Sequence, residues 1–185
     1  KILDILKQEN VKATFFILGS NVDSRKDVVK RMYEEGHYLA NHGYSHTYSK
    51  IYSSPQSVLD EYNECNDKVK NAIEVPDYNS HLFRFPGGLA GGKYAEIKKE
   101  AKELLLQNNI VNVDWNALTG DAETNNLSVE FEMTRLTETM ESKNSLVILM
   151  HDAAAKSVTA DALPQIIAKL KEEGYEFKNF YDIIK

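Results

Sequence analysis

Several features that would point to particular classes of protein are scarce or absent in this sequence of 185 residues. The single cysteine, Cys65, excludes a disulfide bond within the chain. No apolar run reaches the roughly 20 residues that span a bilayer as a helix. Acidic residues outnumber basic ones by 28 to 22, and the net charge of −6 argues against a nucleic-acid-binding surface. No Gly-x-Gly-x-x-Gly or P-loop pattern follows a predicted strand, which weakens a nucleotide-binding interpretation.

What is present is a regular alternation of strand-like and helix-like patterns. Strands are predicted at residues 13–18, 37–41, 82–86, 110–115 and 146–150, with a last strand beginning at 175–177. Helices are predicted at residues 1–10, 24–35, 55–75, 93–108, 128–141 and 159–173. This rhythm implies parallel strands covered by helices, in an open sheet or a barrel. Because no linker of low complexity interrupts it, the sequence predicts one α/β domain over residues 1–185.

Polar side chains gather at the carboxyl ends of the predicted strands. They are His42, His46, Arg84, Asp114, Asp121 and His151. In a barrel, these strand ends form a single rim where active sites are built. The pattern therefore favours a barrel over an open sheet.

His42 and His46 are two of only five histidines and lie four residues apart. On an extended strand this spacing corresponds to roughly 13 Å, too far for one metal ion, whereas on a helical turn such residues are neighbours. Two imidazoles can share an ion when zinc–nitrogen distances of about 2.0–2.1 Å are possible. If this pair binds metal, the chain must coil at Gly43; otherwise these are two unrelated surface histidines.

Three further residues have suitable chemistry, each with an ordinary structural alternative. His151 directly follows an apolar strand and could transfer protons near neutral pH, or could simply cap the strand. Asp121 follows a glycine and could equally be a turn residue. Arg84 lies between two phenylalanines, where its guanidinium needs a carboxylate partner unless it reaches solvent.

Taken in order along the whole chain, these segments resemble the polysaccharide deacetylases, carbohydrate esterase family 4. The resemblance rests on residues 13–19, Gly36 to His46, Arg84-Phe85-Pro86-Gly87-Gly88, Asp114 to Ala122, and Leu149-Met150-His151-Asp152. It implies an α/β fold, a distorted parallel (β/α) barrel of the polysaccharide deacetylase type with fewer than eight strands.

The resemblance also implies roles for the candidate residues. His42 and His46 would bind a divalent metal, with zinc ahead of other ions. Arg84 would hold the carboxylate of the catalytic base. Asp121 would orient His151, and His151 would be the general acid that protonates the leaving amine.

The implied reaction is metal-dependent hydrolysis of N-acetyl groups on a β-1,4-linked N-acetylglucosamine glycan, with peptidoglycan ahead of chitin oligomers. Gly87 would contribute backbone to the oxyanion hole, Leu149 would line the acetyl pocket and Trp115 would line the cleft. Such an enzyme would work outside a bacterial cell or at its wall. Aromatic residues that could face sugar rings, or pack inside the protein instead, are Tyr44, Tyr48, Tyr52, Phe85 and Trp115.

One departure from the family pattern changes what is expected of these residues. The family's first strand ends in two adjacent aspartates, the base and the third metal ligand, and this sequence contains no Asp-Asp pair. The chain enters a helical pattern at Lys1, so we expect the first strand to be missing and the 185 residues alone to be inactive. The alternatives are an inactive or carbohydrate-binding deacetylase-like domain, and an O-deacetylase acting on acetylated xylan.

Overall fold

The computed structural model describes residues 1–183, which fall into two compact units. One unit contains residues 1–12 and 115–178 and is called the two-strand unit. The other contains residues 13–114 with the stretch from residue 179 onward and is called the four-strand unit. The assignment of residues 1–185 to a single domain stays a prediction.

The described elements follow the predicted alternation. Strands β1 to β6 span Thr14–Ile17, Tyr38–Asn41, Leu82–Phe83, Val111–Asn112, Ala117–Leu118 and Ile148–Leu149. Helices α1 to α8 span Ile2–Gln8, Gly19–Val22, Lys26–Glu34, Tyr48–Ile51, Pro55–Ile73, Ala95–Gln107, Val129–Met140 and Ser157–Glu172. A 3₁₀ turn follows at Phe180–Asp182. Among these helices, none is both long and apolar enough to cross a membrane.

The four-strand unit is built on a parallel sheet in the order β1-β2-β3-β4. All four residues of β2 are buried, as expected for a strand covered on both faces. Since parallel strands end at the same edge of a sheet, the residues after β2 and β3 emerge together. Those residues are His42 and Arg84, two of the predicted site residues.

The core of the four-strand unit packs the long helix α5 against the sheet and α6. Helix α5 has Pro55 in its first turn, and the Ser54 hydroxyl caps it by accepting a hydrogen bond from the Ser57 N–H. The buried residues of this core are Ile51, Tyr52, Val58, Leu59, Tyr62, Phe83, Phe85, Ala101, Leu105 and Ile110. Burial on this scale fixes the position of α5 beside the strand ends.

The two-strand unit pairs β5 with β6 in parallel and covers them with α7 and α8. Ser128 caps α7, because its hydroxyl accepts a hydrogen bond from the Phe131 N–H. The buried side chains are Ala117, Leu136, Met140, Ala162, Ile166 and Leu170. Strand β6 ends two residues before His151. The packing of this strand against α7 and α8 therefore positions the backbone at that histidine.

The predicted last strand at residues 175–177 is wrong: within the described chain, residues 175–179 belong to no strand. Tyr175 and Phe177 instead pack against the core of the two-strand unit, and the Tyr175 hydroxyl donates to the backbone oxygen of Lys143. Alternation of apolar residues here marks side-chain packing rather than strand pairing. Strand β5 and helices α2 and α4, all very short, were not predicted. Residues 184–185 lie outside the described residues.

Candidate active-site residues

The predicted site residues form two groups, one in each unit, and the first is a loop that carries both candidate metal ligands. His42 directly follows β2, and the chain then coils with positive φ angles of 81° at Gly43 and 53° at His46. The coil brings the rings of His42 and His46 to a centroid distance of 5.2 Å with a 52° tilt. The chain therefore has the coil at Gly43 that a shared metal ion would require, and metal binding itself stays a prediction.

A carboxylate on helix α5 holds this histidine loop, defined as residues 42–46. Glu61 accepts hydrogen bonds from the N–H groups of Tyr44, at 3.0 Å, and Ser45, at 2.9 Å, and from the Ser45 hydroxyl. Asn41 accepts from the Gly43 N–H at 2.9 Å. These contacts satisfy the backbone of a sharply coiled segment. No sequence motif links Glu61 to the loop, and the sequence-based prediction missed it.

The ring of His42 is oriented by a backbone carbonyl. Its Nδ1 lies 2.7 Å from the backbone oxygen of Arg84, and because a carbonyl can only accept, Nδ1 carries the proton. Nε2 is then the nitrogen whose lone pair suits a metal, which is the usual arrangement of a metal-binding histidine. The two imidazoles fit a zinc-type ion, but a catalytic zinc usually has three protein ligands. Among residues 1–183, no group of three or more His, Cys, Asp or Glu side chains could hold an ion.

Arg84 is a buried cation of the four-strand unit, with 7% of its surface exposed. Its Nε donates to the Val113 oxygen at 2.9 Å and its Nη2 to the Asp114 oxygen at 3.1 Å. The guanidinium also stacks 3.8 Å above the Phe16 ring. Burial lowers the pKa of Arg84 to about 10, and the nearby charge of Asp114 opposes that shift. These contacts hold the guanidinium in place; its predicted role toward a base carboxylate stays a prediction.

Gly87 lies in a turn that only glycine fits well. Its φ of 75° is unfavourable for other residues, and a Cβ atom there would overlap the Tyr48 hydroxyl and lie 3.2 Å from Tyr48 Cζ. The Tyr48 ring is also 5.8 Å from the ring of His46. Tyr48 therefore links the histidine loop to the Gly87 backbone.

The aromatic rim proposed for sugar rings is partly wrong. Tyr52 and Phe85 are fully buried and stack on each other in the core. Tyr48 is exposed, and Tyr44 and Trp115 are half-buried. Apolar aromatic faces are equally suited to a core, so sequence could not separate the two groups.

The second group is the pair of Asp121 and His151 in the two-strand unit. Asp121 Oδ1 lies 2.8 Å from His151 Nδ1, and Asp121 Oδ2 accepts from the His151 N–H at 2.6 Å. The carboxylate is 2% exposed, whereas the imidazole is 42% exposed. The ring contact is the kind expected if Asp121 orients His151, and the second bond, through the backbone, leaves both carboxylate oxygens paired.

The pair favours a proton on the histidine. The hydrogen bond to Asp121 raises the pKa of His151, although burial opposes the shift. Burial alone would raise the pKa of Asp121, but hydrogen bonds from the side chain and backbone of His151 leave it lowered. An ionised carboxylate and an imidazolium are therefore the favoured states.

The two remaining predicted substrate contacts also lie in the two-strand unit. Leu149 is a half-buried residue of β6, paired with Leu118 of β5 and two positions before His151. Trp115 is half-buried and precedes β5. Contact of either side chain with a substrate stays a prediction.

Comparison with known proteins places this arrangement in a family. Residues 1–107 match the polysaccharide deacetylase family. The chain belongs to that family. It is 35% identical over 184 residues to YheN of Bacillus subtilis (strain 168), which is named as a polysaccharide deacetylase; the match covers 96% of this chain and 60% of that protein. It is 32% identical over 185 residues to a peptidoglycan-N-acetylglucosamine deacetylase of Bacillus cereus, covering 98% of this chain and 64% of that protein.

Solved structures agree with this assignment. A carbohydrate esterase family 4 enzyme from Streptococcus mutans superposes with a TM-score of 0.87 at 33% identity, covering 96% of this chain and 78% of that one. A pseudoenzyme of the same esterase family from Bacillus anthracis superposes with a TM-score of 0.77 at 26% identity, covering 100% of this chain and 59% of that one. The predicted α/β fold of the polysaccharide deacetylase type is confirmed. The chain spans less than two thirds of the length of the two curated relatives above.

Proposed function

We propose that the full-length protein removes N-acetyl groups from an N-acetylglucosamine glycan, with bacterial peptidoglycan as the preferred substrate. The observation that carries this proposal is the doubly hydrogen-bonded pair of Asp121 and His151, which favours a protonated, partly exposed imidazole. Amide hydrolysis needs such an acid because the departing nitrogen must gain a proton. The B. cereus relative, named for this activity on peptidoglycan, supports the choice of substrate.

His42 and His46 would hold the divalent metal, and zinc suits two imidazoles best. When bound, such an ion would polarise the acetyl carbonyl and lower the pKa of a water molecule. The histidine loop contributes two neighbouring rings, one with its proton held on Nδ1 by the Arg84 carbonyl. The backbone that carries the two rings would not have to rearrange for metal to bind, because Glu61 already holds the coil.

His151 would act as the general acid. Its Nδ1 proton is held by Asp121, so the proton transferred is the one on Nε2, which passes to the amine nitrogen as the carbon–nitrogen bond breaks. The raised pKa of His151 keeps more of it protonated at neutral pH than a free histidine would be. Asp121 would stabilise the imidazolium without itself taking the proton.

The other predicted residues would position the substrate and the base. The Gly87 backbone would face the developing oxyanion, and Leu149 and Trp115 would contact the acetyl group and the sugar. Arg84, already buried and oriented, would hold the carboxylate of the base. Because peptidoglycan lies outside the membrane, the protein would act outside the cell or at the cell wall.

The test is acetate release by the full-length, metal-loaded protein from peptidoglycan, chitin oligomers and acetylated xylan, with His151→Ala as a matched control. We expect acetate from peptidoglycan, less from chitin oligomers, and a large loss in the variant. Acetate from xylan alone would contradict the amide assignment and favour an ester-cleaving enzyme. No acetate from any substrate, with metal bound, would favour the inactive alternative that the B. anthracis pseudoenzyme represents.

A further inference from the structure

A second buried carboxyl group lies behind the Asp121–His151 pair and has no part in the function proposed above. Glu132, in the first turn of α7, is fully buried. Thr159 of α8 is also buried, with 1% of its surface exposed. The Thr159 hydroxyl lies between the two carboxyl groups, 3.0 Å from Glu132 Oε1 and 3.3 Å from Asp121 Oδ2. The sequence gives no spacing signal for this contact.

The number of protons in this arrangement is constrained. A threonine hydroxyl has one hydrogen to donate and lone pairs that only accept. It can donate to one carboxyl group, but the other contact is then between two acceptors unless that carboxyl group carries a proton. Two ionised carboxylates around one hydroxyl would leave one buried oxygen facing another without a hydrogen between them.

The contacts decide which carboxyl group is protonated. Asp121 Oδ1 and Oδ2 both accept from His151, at 2.8 Å and 2.6 Å, so Asp121 is the charged member. Glu132 Oε2 has no hydrogen-bond partner among residues 1–183. Burial raises the pKa of Glu132 and the charge of Asp121 adds to this, whereas the nearby hydroxyl groups of Thr159 and Thr119 and the charge of Lys156 oppose it.

We propose that Glu132 is a neutral carboxylic acid that donates to Thr159, which in turn donates to Asp121, and that this chain positions the Asp121–His151 pair. Glu132 and Thr159 are thus positioning residues that act through Asp121. The catalytic part of this proposal rests on the proposed function, since it takes His151 as the acid. The protonation state of Glu132 does not depend on that function.

A chain of hydrogen bonds that runs in one direction has two consequences. It adds a third donor to Asp121, so that the carboxylate is held against rotation with Oδ1 facing His151 Nδ1. It also keeps a second negative charge away from Asp121, so that the imidazolium balances a single carboxylate. Both effects would be lost if Glu132 ionised.

The first experiment measures protonation directly, without substrate. Infrared spectra of the full-length protein at pH 7 should show the C=O stretch of a protonated carboxylic acid. The band should disappear in Glu132→Gln and persist in Glu130→Gln, which removes an exposed carboxyl group from the same helix. Absence of the band from the wild-type protein would overturn the proposal whatever the activity of the enzyme.

The second experiment tests positioning. Glutamine can donate to Thr159 as a carboxylic acid does, so Glu132→Gln should leave the NMR-measured pKa of His151 unchanged and kcat within about twofold. Glu132→Ala and Thr159→Val should each lower kcat about tenfold at unchanged KM, the loss of one hydrogen bond. Thr159→Ser should restore kcat.

The opposite results would distinguish the protonation of Glu132 from its positioning role. A fall in the pKa of His151 in Glu132→Gln would mean that Glu132 is ionised, and unchanged kcat in Thr159→Val would mean that the chain has no positioning role. If the infrared band and the pKa behave as expected but no variant or wild-type protein releases acetate, the proposed function fails and the protonation of Glu132 stands.

Discussion

The histidine loop and the Asp121–His151 pair each use a carboxylate to place an imidazole, but they use it differently. Glu61 accepts from backbone N–H groups and never touches a ring in the contacts described, so it sets the shape of the loop. Asp121 accepts from the ring of His151 itself, so it sets the state of the proton. The ring of His42 instead faces the neutral carbonyl of Arg84.

The difference teaches how one residue type serves two purposes. A neutral acceptor at Nδ1 fixes the tautomer without adding negative charge, which suits an imidazole whose Nε2 lone pair must face a cation. A charged acceptor at Nδ1 stabilises the imidazolium, which suits a proton donor. The histidine loop is therefore expected to bind metal, and the Asp121–His151 pair to supply a proton.

The largest expected effect is the loss of metal from the histidine loop. His42→Ala in the full-length protein should leave one imidazole of the pair, so bound metal and acetate release should both fall, activity by on the order of 10³-fold or more. Metal content can be measured by atomic emission after dialysis. The matched control is His81→Asn, which changes an exposed histidine outside both groups and suits its φ of 53°. Full metal content in His42→Ala would contradict the assignment of the loop.

The next effect concerns the charge that faces His151. Asp121→Asn removes the carboxylate that raises the pKa of His151, so kcat should fall by roughly 10²–10⁴-fold. Activity that needs protonated His151 declines as pH rises through the histidine pKa, so the alkaline limit of the pH profile should move to lower pH in the variant. Asp152→Asn, which removes a carboxylate with a weaker influence on His151, should shift the limit much less. Equal shifts would contradict the special role of Asp121.

The same pair makes stability depend on pH in a defined window. The raised pKa of His151 means that its stabilisation is present below the unfolded-state value of about 6.5 and is lost as pH rises through the folded value. The lowered pKa of Asp121 means that its stabilisation is present above about 3.9 and is lost as pH falls through the folded value. Denaturant unfolding across pH should show this dependence in wild type and not in a His151→Ala, Asp121→Asn double variant.

A smaller effect on metal affinity is expected when the histidine loop is loosened without changing either metal-binding histidine. Glu61→Gln replaces an acceptor of three hydrogen bonds by an amide that accepts through one oxygen, so metal affinity should fall about 10–100-fold. Glu64→Gln, an exposed position on the same helix, is the control. Isothermal titration with zinc measures both. Unchanged affinity in Glu61→Gln would show that the histidines hold their geometry without the carboxylate.

The smallest effect compares two glycines. Gly87→Ala and Gly91→Ala both place a side chain at a positive φ, of 75° and 71°, which costs about 1–2 kcal/mol of stability. Only at Gly87 does the new Cβ meet another group, the Tyr48 hydroxyl. The free energy of unfolding from urea titration should therefore fall further in Gly87→Ala. Equal losses would mean that Tyr48 moves away at no cost.

Local patterns predicted the parts of this protein that depend on local physics. The four-residue spacing of His42 and His46 predicts a coil at Gly43 on the condition that the two rings share a metal ion, because a strand would separate the rings. Apolar periodicity located the long helices and the strands that end before His42, Arg84 and His151. The hydrogen bond of Asp121 to His151 followed from the order of family motifs rather than from spacing.

Contacts made by packing were not predictable in this way. Glu61 and Thr159 look like ordinary helix residues in sequence, and only the packing of α5 and α8 brings them to the loop and to Asp121. The same limit explains the buried Tyr52 and Phe85, whose aromatic character suits a core as well as a sugar-binding surface. It also explains the wrong strand at residues 175–177, where side-chain packing produces the alternation.

The most direct test of the separation between ligand and acid is the metal content of His151→Ala, measured together with acetate release from peptidoglycan by the full-length protein. If His151 is the acid, the variant keeps the metal content of wild type while turnover falls by roughly 10²–10⁴-fold. If His151→Ala loses metal as His42→Ala does, His151 is a ligand, and the division of roles between the two regions is wrong.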